Sequence, residues 1–238
     1  MPAAWLVLPT YDEAGNVERI VRAALDALAP AAPEHRILIV DDASPDGTGE
    51  IADRLAAAND SVEVLHRPGK QGLGRAYVAG FERALEAGAG LVIQMDADFS
   101  HDPADLPRLI AASEQADLVI GSRYVEGGGV EGWGPVRRTL SRGGCLYARA
   151  ILHVPVRDLT GGFKCWRRSA LEALDLSAVH ADGYGFQIET TYRAVRAGLR
   201  VHELPIRFRD RDVGESKMTA RIALEAVWKV PALRLRSR

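Results

Sequence analysis

Short apolar runs alternate with amphipathic segments along the first half of the chain, and no other feature constrains the fold as strongly. The periodicity predicts strands over residues 3–9, 36–40, 62–65, 91–95 and 118–120, and helices over 14–28, 45–58, 74–87 and 103–114. Strands that are apolar throughout are typical of parallel sheets with both faces covered. The sequence therefore predicts an α/β chain with a mainly parallel, Rossmann-like sheet and helices on both of its faces.

Polar residues follow the predicted strands at their carboxyl ends. In open α/β sheets, ligands bind in the crevice at these ends. We therefore expect one binding site to be built from four short segments, Thr10–Glu13, Asp41–Asp42, Asp96–Asp98 and Ser122–Arg123.

The segment Asp96-Ala97-Asp98 is the most informative of the four. Side chains at i and i+2 of an extended segment point to the same side, so both carboxylates can face one point beyond the strand. Two carboxylates at such a short distance repel each other unless a cation lies between them. Hard oxygen ligands suit Mg²⁺ or Mn²⁺ bridging a diphosphate. The alternative is an ordinary turn after a strand, where Asp is common.

Composition narrows the class of protein. A chain of 238 residues fits one large domain, or one domain with a small appendage. A net charge of -2 argues against a nucleic-acid partner. Cys145 and Cys165 lie outside any CxxC or His cluster, which favours reduced thiols over a disulfide or a zinc site. We expect no signal peptide and no membrane-spanning helix, because no basic n-region or long apolar stretch is present.

Basic residues are concentrated in two places in the second half. A predicted helix over residues 136–152 carries Arg137, Arg138, Arg142 and Arg149. Residues 216–238 hold six basic residues against one acidic residue, interleaved with apolar ones. Such a segment can lie on an anionic membrane surface, and the alternative is a terminal helix packed on the domain. We predict a main domain over residues 1–215 and a basic amphipathic tail over 216–238.

Seven motifs in order give the chain a resemblance to glycosyltransferase family 2. Three of them are Leu8–Glu13, Val40–Thr48 and Met95–His101. Four more extend the match to about residues 4–217, and they are Gly121–Tyr124, Asp158–Lys164, Gly183–Glu189 and Gly214–Lys217. Within the family, the chain most resembles the polyprenyl-phosphate (dolichyl-phosphate) mannose synthases.

The resemblance implies a GT-A fold and a reaction that inverts the anomeric centre. It implies GDP-mannose as donor, polyprenyl (dolichyl) phosphate as acceptor, and Mg²⁺ or Mn²⁺ as cofactor. The implied nucleoside-binding residues are Pro9, Tyr11, Glu13, Asp41 and Asp42. Because Asp41 and Asp42 point to opposite sides if the strand continues, we expect one to bind the nucleoside and the other to cap or orient a loop. Asp96, Ala97 and Asp98 would hold the metal and the diphosphate, with Arg211 and Lys217 near the phosphates on a closing loop. Ser100 stands where some members carry Gln as a further metal ligand, so it is the weakest of the candidate ligands.

The chemistry of the acceptor favours arginine over a catalytic base. A phosphate monoester is already ionised near neutral pH and needs positioning and charge compensation. The guanidinium fork pairs bidentately with phosphate oxygens. The predicted acceptor-phosphate residues are Arg123, Arg138, Ser141 and Arg142, and the predicted catalytic residues are Asp98 and Arg123. Arg137 and Arg149 are interpreted as a solvated or membrane-facing surface, which is also the alternative for Arg138, and His101 is interpreted as structural.

Two alternatives stay open at this point. One is a UDP-glucose:polyprenyl-phosphate glucosyltransferase with the same fold. The other is a non-catalytic membrane-surface binding protein, against which the presence of Asp96, Asp98, Arg123 and Lys217 argues. In the leading interpretation, the enzyme is cytoplasmic and peripheral at the cytoplasmic face of the membrane. It would touch that membrane through its basic tail, its Arg-rich helix or a separate membrane-protein partner.

Overall fold

A seven-stranded sheet forms the centre of the molecule. The structure, a computed structural model, describes residues 2–179, 183–210 and 228–235, and the statements below concern these residues. The strands of this sheet are β1 (Ala4–Thr10), β2 (His35–Asp41), β3 (Val62–His66), β4 (Leu91–Gln94), β5 (Leu118–Ser122), β7 (Lys164–Arg167) and β8 (Val201–Pro205). They lie in the order β3-β2-β1-β4-β7-β5-β8. Strands β6 (Gly129–Val130) and β9 (Arg207–Phe208) form a separate parallel pair.

Helices cover both faces of the sheet. They are α1 (Val17–Ala31), α2 (Thr48–Ala58), α3 (Leu73–Glu86), α4 (Leu106–Ala112), α5 (Pro135–Leu152), α6 (Arg168–Glu172) and α7 (Tyr184–Arg196), and residues 228–235 are also helical. Successive strand side chains point to opposite faces, so each strand supplies two core layers. One layer packs against α1, α2 and α4, and the other against α3, α5, α6 and α7. The predicted α/β fold with a mainly parallel sheet is confirmed.

Strand β7 is the exception to the parallel arrangement. It runs antiparallel between β4 and β5, with Ile93 opposite Cys165 and Val119 opposite Cys165 on the other side. Because its direction is reversed, the residues that precede β7 lie at the carboxyl edge of its neighbours. The segment Thr160–Gly162 is thereby placed between the end of β4 and the end of β5.

Helix α2 begins at Thr48, three residues later than the predicted start at Pro45. Gly47 has a φ of 89°, in the left-handed region that glycine adopts without steric cost, so the chain turns there before the helix starts. The Thr48 hydroxyl lies 2.5 Å from Oδ1 of Asp46 and ties the turn to the helix.

None of the helices within residues 2–179, 183–210 and 228–235 is both long and apolar enough to cross a bilayer. Of the predicted tail over residues 216–238, the structure describes residues 228–235. Val230 is buried there and packs with the core layer that contains Leu174 and Ile188. Trp228 and Leu235 are exposed.

Candidate active site

A cavity of about 1050 Å³ opens at the carboxyl edge of the sheet. It lies at the ends of β1, β2, β4 and β5 and extends to α7 and to residues 229–233. The predicted site residues that line it are Pro9, Tyr11, Glu13, Asp42, Asp96, Ala97, Asp98, Ser100 and Arg123. Among the described residues, the predicted ones that do not line it are Asp41, Arg138, Ser141 and Arg142. Arg211 and Lys217 lie outside the described residues.

Three non-glycine residues at this edge have a positive φ. They are Asp12 after β1 (59°), Ala43 after β2 (54°) and Phe99 after β4 (60°). Non-glycine residues in this region cost about 1–3 kcal/mol each and persist where the surrounding structure imposes them, commonly at functional sites. The turns direct the chain sharply away from each strand end, which leaves the strand ends open toward the cavity.

Asp96 is held by a buried tyrosine. The Tyr77 hydroxyl donates to Oδ1 of Asp96 at 2.9 Å, and Tyr77 is fully buried in α3. Burial, followed by the charge of Asp96, raises the pKa of Tyr77 well above its usual value, so the phenol stays a donor. The backbone amide of Asp96 donates to Nδ1 of His101 at 3.3 Å.

His101 lies against the rings of Phe163 and Phe208, with ring centroids 5.1 and 5.2 Å away. Burial lowers the pKa of His101, so the ring is neutral at pH 7 and suited to this apolar contact. The interpretation of His101 as structural agrees with these contacts, although the ring also lines the cavity.

Asp98 is buried and held by the turn that follows it. Its Oδ1 accepts hydrogen bonds from the Ser100 backbone amide at 3.0 Å and from the Ser100 hydroxyl at 2.5 Å. The positive φ of Phe99 brings Ser100 back toward Asp98. Ser100 therefore acts here as a donor to an aspartate, which fixes the orientation of that carboxylate before any ligand binds.

The donor set of this edge fits a divalent cation shared with a diphosphate. Among residues 2–179, 183–210 and 228–235, no three His, Cys, Asp or Glu side chains converge as a complete metal site. Mg²⁺ is commonly bound through one or two carboxylates, with substrate phosphates and water completing its shell. Asp96 and Asp98 supply two carboxylates that are each fixed through Oδ1, which matches this partial shell.

The side chains of Asp41 and Asp42 have different surroundings. Asp41 turns away from the cavity, and its carboxylate accepts from the hydroxyls of Thr10 at 3.2 Å and Ser44 at 2.6 Å. Asp42 lines the cavity and forms a buried ion pair with Arg67. Burial raises the pKa of Asp42, and Arg67 partly offsets that shift. Of the two aspartates, Asp42 lies in the cavity lining, whereas Asp41 holds the loop through Ser44.

Arg123 forms a buried ion pair with Asp158. Its Nε and Nη2 atoms donate to the two carboxylate oxygens at 2.8 and 2.7 Å, and Nη2 also donates to the Thr160 hydroxyl at 2.7 Å. Asp158 holds the pKa of Arg123 above its usual value despite burial, and Arg123 holds the pKa of Asp158 below its usual range. Both groups are therefore charged at neutral pH, with the guanidinium fixed at the cavity wall.

The arginines of α5 are sorted by their position around the helix. Arg137 lines the cavity, with its guanidinium 4.0 Å from the centre of the Trp133 ring and 2.9 Å from Oδ1 of Asp210. Successive helical residues point about 100° apart, so Arg138 points to a different side and donates to the Val130 carbonyl at 3.2 Å. Arg138 was predicted to bind the acceptor phosphate and Arg137 to lie on the surface, but it is Arg137, not Arg138, that lines the cavity.

The other two residues predicted on α5 also lie away from the cavity. Ser141 is buried and accepts a hydrogen bond from the Tyr124 hydroxyl at 2.7 Å. Arg142 is exposed and lines a separate, smaller pocket. Arg123 is therefore the one predicted acceptor-phosphate residue that the structure places in the cavity wall.

Several cavity residues were not predicted. Lys70 lies with its Nζ 3.7 Å from the centre of the Tyr11 ring, and both line the cavity. Gln187 of α7 accepts from Gln94 at 2.8 Å, and Gln94 in turn accepts from the Trp166 indole at 3.0 Å. This network connects β4 and β7 to α7. Its sequence signal is the single polar residue, Gln94, in an otherwise apolar strand.

The fold matches that of GT-A glycosyltransferases of known structure. Solved structures of glucosyl-3-phosphoglycerate synthase from Mycobacterium tuberculosis have the same fold. The complex with phosphoglyceric acid gives a TM-score of 0.70 at 18% identity, over 98% of this chain and 80% of that one. The complex with Mn²⁺ and UDP-glucose gives a TM-score of 0.68 at 18% identity, over 98% of this chain and 79% of that one.

Sequence comparison gives the family. The model of the family described as glycosyl transferase family 2 matches residues 5–175. An undecaprenyl-phosphate mannosyltransferase from Micrococcus luteus is 48% identical over 94% of this chain and 90% of that protein. A polyprenol monophosphomannose synthase from Mycolicibacterium smegmatis is 46% identical over 98% of this chain and 87% of that protein. The chain belongs to glycosyl transferase family 2.

Proposed function

We propose that this protein transfers mannose from GDP-mannose to a polyprenyl phosphate, with inversion at the anomeric carbon. The observation that carries the proposal is one cavity lined by both the Asp96–Asp98 pair and Arg123. The chain is also 46–48% identical to an undecaprenyl-phosphate mannosyltransferase and a polyprenol monophosphomannose synthase. The cavity thus offers places for two anions, the donor diphosphate and the acceptor phosphate.

The donor would bind along the ends of β1, β2 and β4. Asp42 and Glu13 present carboxylates to this part of the cavity, and Pro9 and Tyr11 present apolar surface. A guanine base has N–H groups that can donate hydrogen bonds to carboxylates. Lys70, over the Tyr11 ring, adds a positive charge near the same wall. The predicted contribution of Arg211 and Lys217 to the phosphates is retained in this proposal.

A divalent cation, Mg²⁺ or Mn²⁺, would be held by Asp96 and Asp98 and would stabilise the negative charge that develops on the diphosphate leaving group. The protein residues prepare this position in advance. Tyr77 fixes Asp96, and Ser100 fixes Asp98, so neither carboxylate has to reorient when the donor binds. Preorganised groups of this kind cost little reorganisation during reaction.

The acceptor phosphate would bind at the wall formed by Arg123 and Arg137. Asp158 and Thr160 fix the Arg123 guanidinium from behind, while Asp210 and Trp133 fix that of Arg137. Guanidinium groups compensate the charge of the phosphate and align its oxygen with the anomeric carbon. The ionised phosphate is itself the nucleophile, so no catalytic base is required.

Transfer of radiolabel to decaprenyl phosphate, from GDP-mannose and from UDP-glucose in parallel with Mg²⁺ or Mn²⁺ present, tests the proposal. We expect transfer from GDP-mannose. Transfer from UDP-glucose alone would retain the fold and site but change the donor. Absence of transfer from both donors, with protein that binds GDP, would contradict the proposed acceptor.

Calorimetry of GDP binding with and without Mg²⁺ or Mn²⁺ tests the donor site separately. In Asp98→Ala, we expect the metal-dependent part of the affinity to be lost, because one of the two fixed carboxylates is removed. Asp26→Ala is a matched control, because Asp26 is an exposed aspartate on α1 that does not line the cavity. Unchanged metal dependence in Asp98→Ala would exclude this position for the cation.

The outer face of α5 is the proposed membrane contact. Val136, Leu140 and Leu146 are 72%, 56% and 57% exposed, and arginines flank them on the same helix. Apolar residues bordered by cationic ones suit the interface of an anionic membrane. We place the protein at the cytoplasmic face, with the basic tail over residues 216–238 as a second contact and a membrane-protein partner as the alternative. Leu140→Asn should weaken flotation with phosphatidylglycerol vesicles and leave GDP affinity unchanged.

A further inference from the structure

A second, smaller pocket lies beside α5, separate from the edge cavity. Its volume is about 180 Å³, and its lining is Tyr124, Arg142, Cys145, Leu146, Arg149 and Arg157. A water molecule occupies about 30 Å³ of liquid, so the pocket is large enough for a phosphate group. None of its lining residues lines the edge cavity.

Three of the six lining residues are arginines from two segments of the chain. Arg142 and Arg149 are seven residues apart on α5, which is close to two helical turns, so both lie on one side of the helix. Arg157 comes from the segment after the helix. Among the described residues, none of the three has a carboxylate within 4.0 Å.

Two carboxylates beside the backbone of Arg157, those of Asp158 and Glu203, have other partners. Both oxygens of Asp158 bind Arg123. Glu203 accepts from the Ser122 hydroxyl and from the backbone amides of Arg157 and Asp158, at 2.7, 2.8 and 2.9 Å. The Cys145 thiol supplies no negative charge, because burial raises its pKa to about 11. Three like charges in one pocket repel one another, and a bound anion relieves that repulsion.

We propose that the pocket formed by Arg142, Arg149 and Arg157 binds a phosphate group distinct from the acceptor phosphate. The guanidinium forks match the geometry of phosphate oxygens. The group can belong to an anionic lipid headgroup or to free inorganic phosphate. A lipid source places the headgroup beside the exposed Leu146, where the acyl chains continue along the apolar face of α5. The inference does not depend on the donor or on the acceptor of the transfer reaction.

Two triple variants of the full chain test the proposal. Replacement of all three arginines by Gln removes the charge, while Arg142→Lys with Arg149→Lys and Arg157→Lys keeps the charge but loses the forks. Arg54→Gln, an exposed arginine on α2, is a further control. GDP affinity in every variant reports whether the protein is folded, because none of these residues lines the edge cavity.

Binding is measured in two arms with the edge cavity saturated by GDP. One arm follows line broadening of inorganic phosphate by ³¹P NMR, and the other follows flotation with phosphatidylcholine vesicles with and without phosphatidylglycerol. We expect both the Gln and the Lys triple variants to lose about tenfold or more in affinity in at least one arm, because bidentate pairing is lost in both. Loss in the NMR arm assigns free phosphate, and loss in the vesicle arm alone assigns a lipid headgroup.

Two results would overturn the proposal. If the Gln variant binds as wild type in both arms, the pocket holds no phosphate. If the Lys variant binds as wild type while the Gln variant does not, the arginines act only through net charge and no built site exists.

Discussion

Arg123→Met should destabilise the protein strongly, because it leaves Asp158 buried without its counter-ion. Arg123 and Asp158 are 6% and 0% exposed, and two hydrogen bonds of 2.7 and 2.8 Å join their side chains. Removal of one partner from a buried pair costs about 3–5 kcal/mol. Native domains are stable by about 5–15 kcal/mol, so the loss is a large fraction of the total.

The stability of Arg123→Met should depend on pH in a way that the stability of wild type does not. In wild type, the pKa of Asp158 is below 3.8, so its contribution is present above that pH and is lost as the pH falls through the folded value. In Arg123→Met, burial dominates and raises the pKa of Asp158 above its unfolded value. Unfolding of the variant should therefore require more urea as the pH is lowered from about 7 to about 5, whereas the contribution of Asp158 in wild type is constant there.

The double variant Arg123→Met with Asp158→Asn completes the test. An asparagine at position 158 has no charge to bury. Its side-chain oxygen can still accept a hydrogen bond from the backbone amide of residue 123, which donates to Asp158 at 2.9 Å in wild type. We expect the double variant to be more stable than Arg123→Met at neutral pH. Removal of one partner of a buried pair should lower the free energy of unfolding by several kcal/mol. A decrease of less than about 1 kcal/mol in Arg123→Met would therefore refute the buried pair. The buried pair would also be refuted if lowering the pH did not stabilise Arg123→Met relative to wild type.

Three further predictions concern other parts of the structure. Burial lowers the pKa of Lys164 to about 7, so between that pH and 10.5 the unfolded chain binds the additional proton and stability rises with pH. In Lys164→Met, urea unfolding at several pH values should show a slope smaller by up to about 1.4 kcal/mol per pH unit, and an unchanged slope would place the amine in solvent. Gly80→Ala should cost about 1–3 kcal/mol in thermal or urea unfolding, because a Cβ would lie 2.4 Å from Cγ1 of Val7; a neutral effect would contradict this helix–sheet contact. Tyr77→Phe should weaken metal-dependent GDP binding in calorimetry while costing stability by less than about 1.5 kcal/mol, because Asp96 loses the donor that orients it; unchanged metal-dependent binding would exclude that role for Tyr77.

The sequence predicted the regular part of the fold because each element carries its own periodic signal. Strands β1 to β5 and helices α1 to α5 lie within a few residues of their predicted positions. Strand β7 (Lys164–Arg167) was not predicted, because its two apolar residues stand between two basic ones and give no strand periodicity. Its place between β4 and β5 depends on long-range pairing that periodicity does not encode.

The candidate site was predictable to the level of the segment but not always of the residue. Strand ends identified the segments around Asp42, Asp98 and Arg123, all of which line the cavity. The opposite orientations of Asp41 and Asp42 follow from the alternation of side chains along a strand, but periodicity does not indicate which of the two faces the cavity. The exchange of Arg137 and Arg138 depends on the rotation of α5 about its axis, and a shift of one residue is enough to reverse the assignment.

The reversed strand also bears on how the chain acquires its final shape. Strands β1, β2 and β3 can pair soon after each is synthesised, because they are consecutive in the chain and neighbours in the sheet, and β4 then pairs with β1. The space between β4 and β5 is filled only when residues 164–167 arrive, long after both neighbours are complete. Contacts this distant in sequence slow folding. The four-stranded part of the sheet that carries Asp98 can thus form before Arg123 is fixed in place. In a chain interrupted before β7, the strand that leads to Arg123, β5, would have no partner in the sheet, because β7 and β8 both follow it.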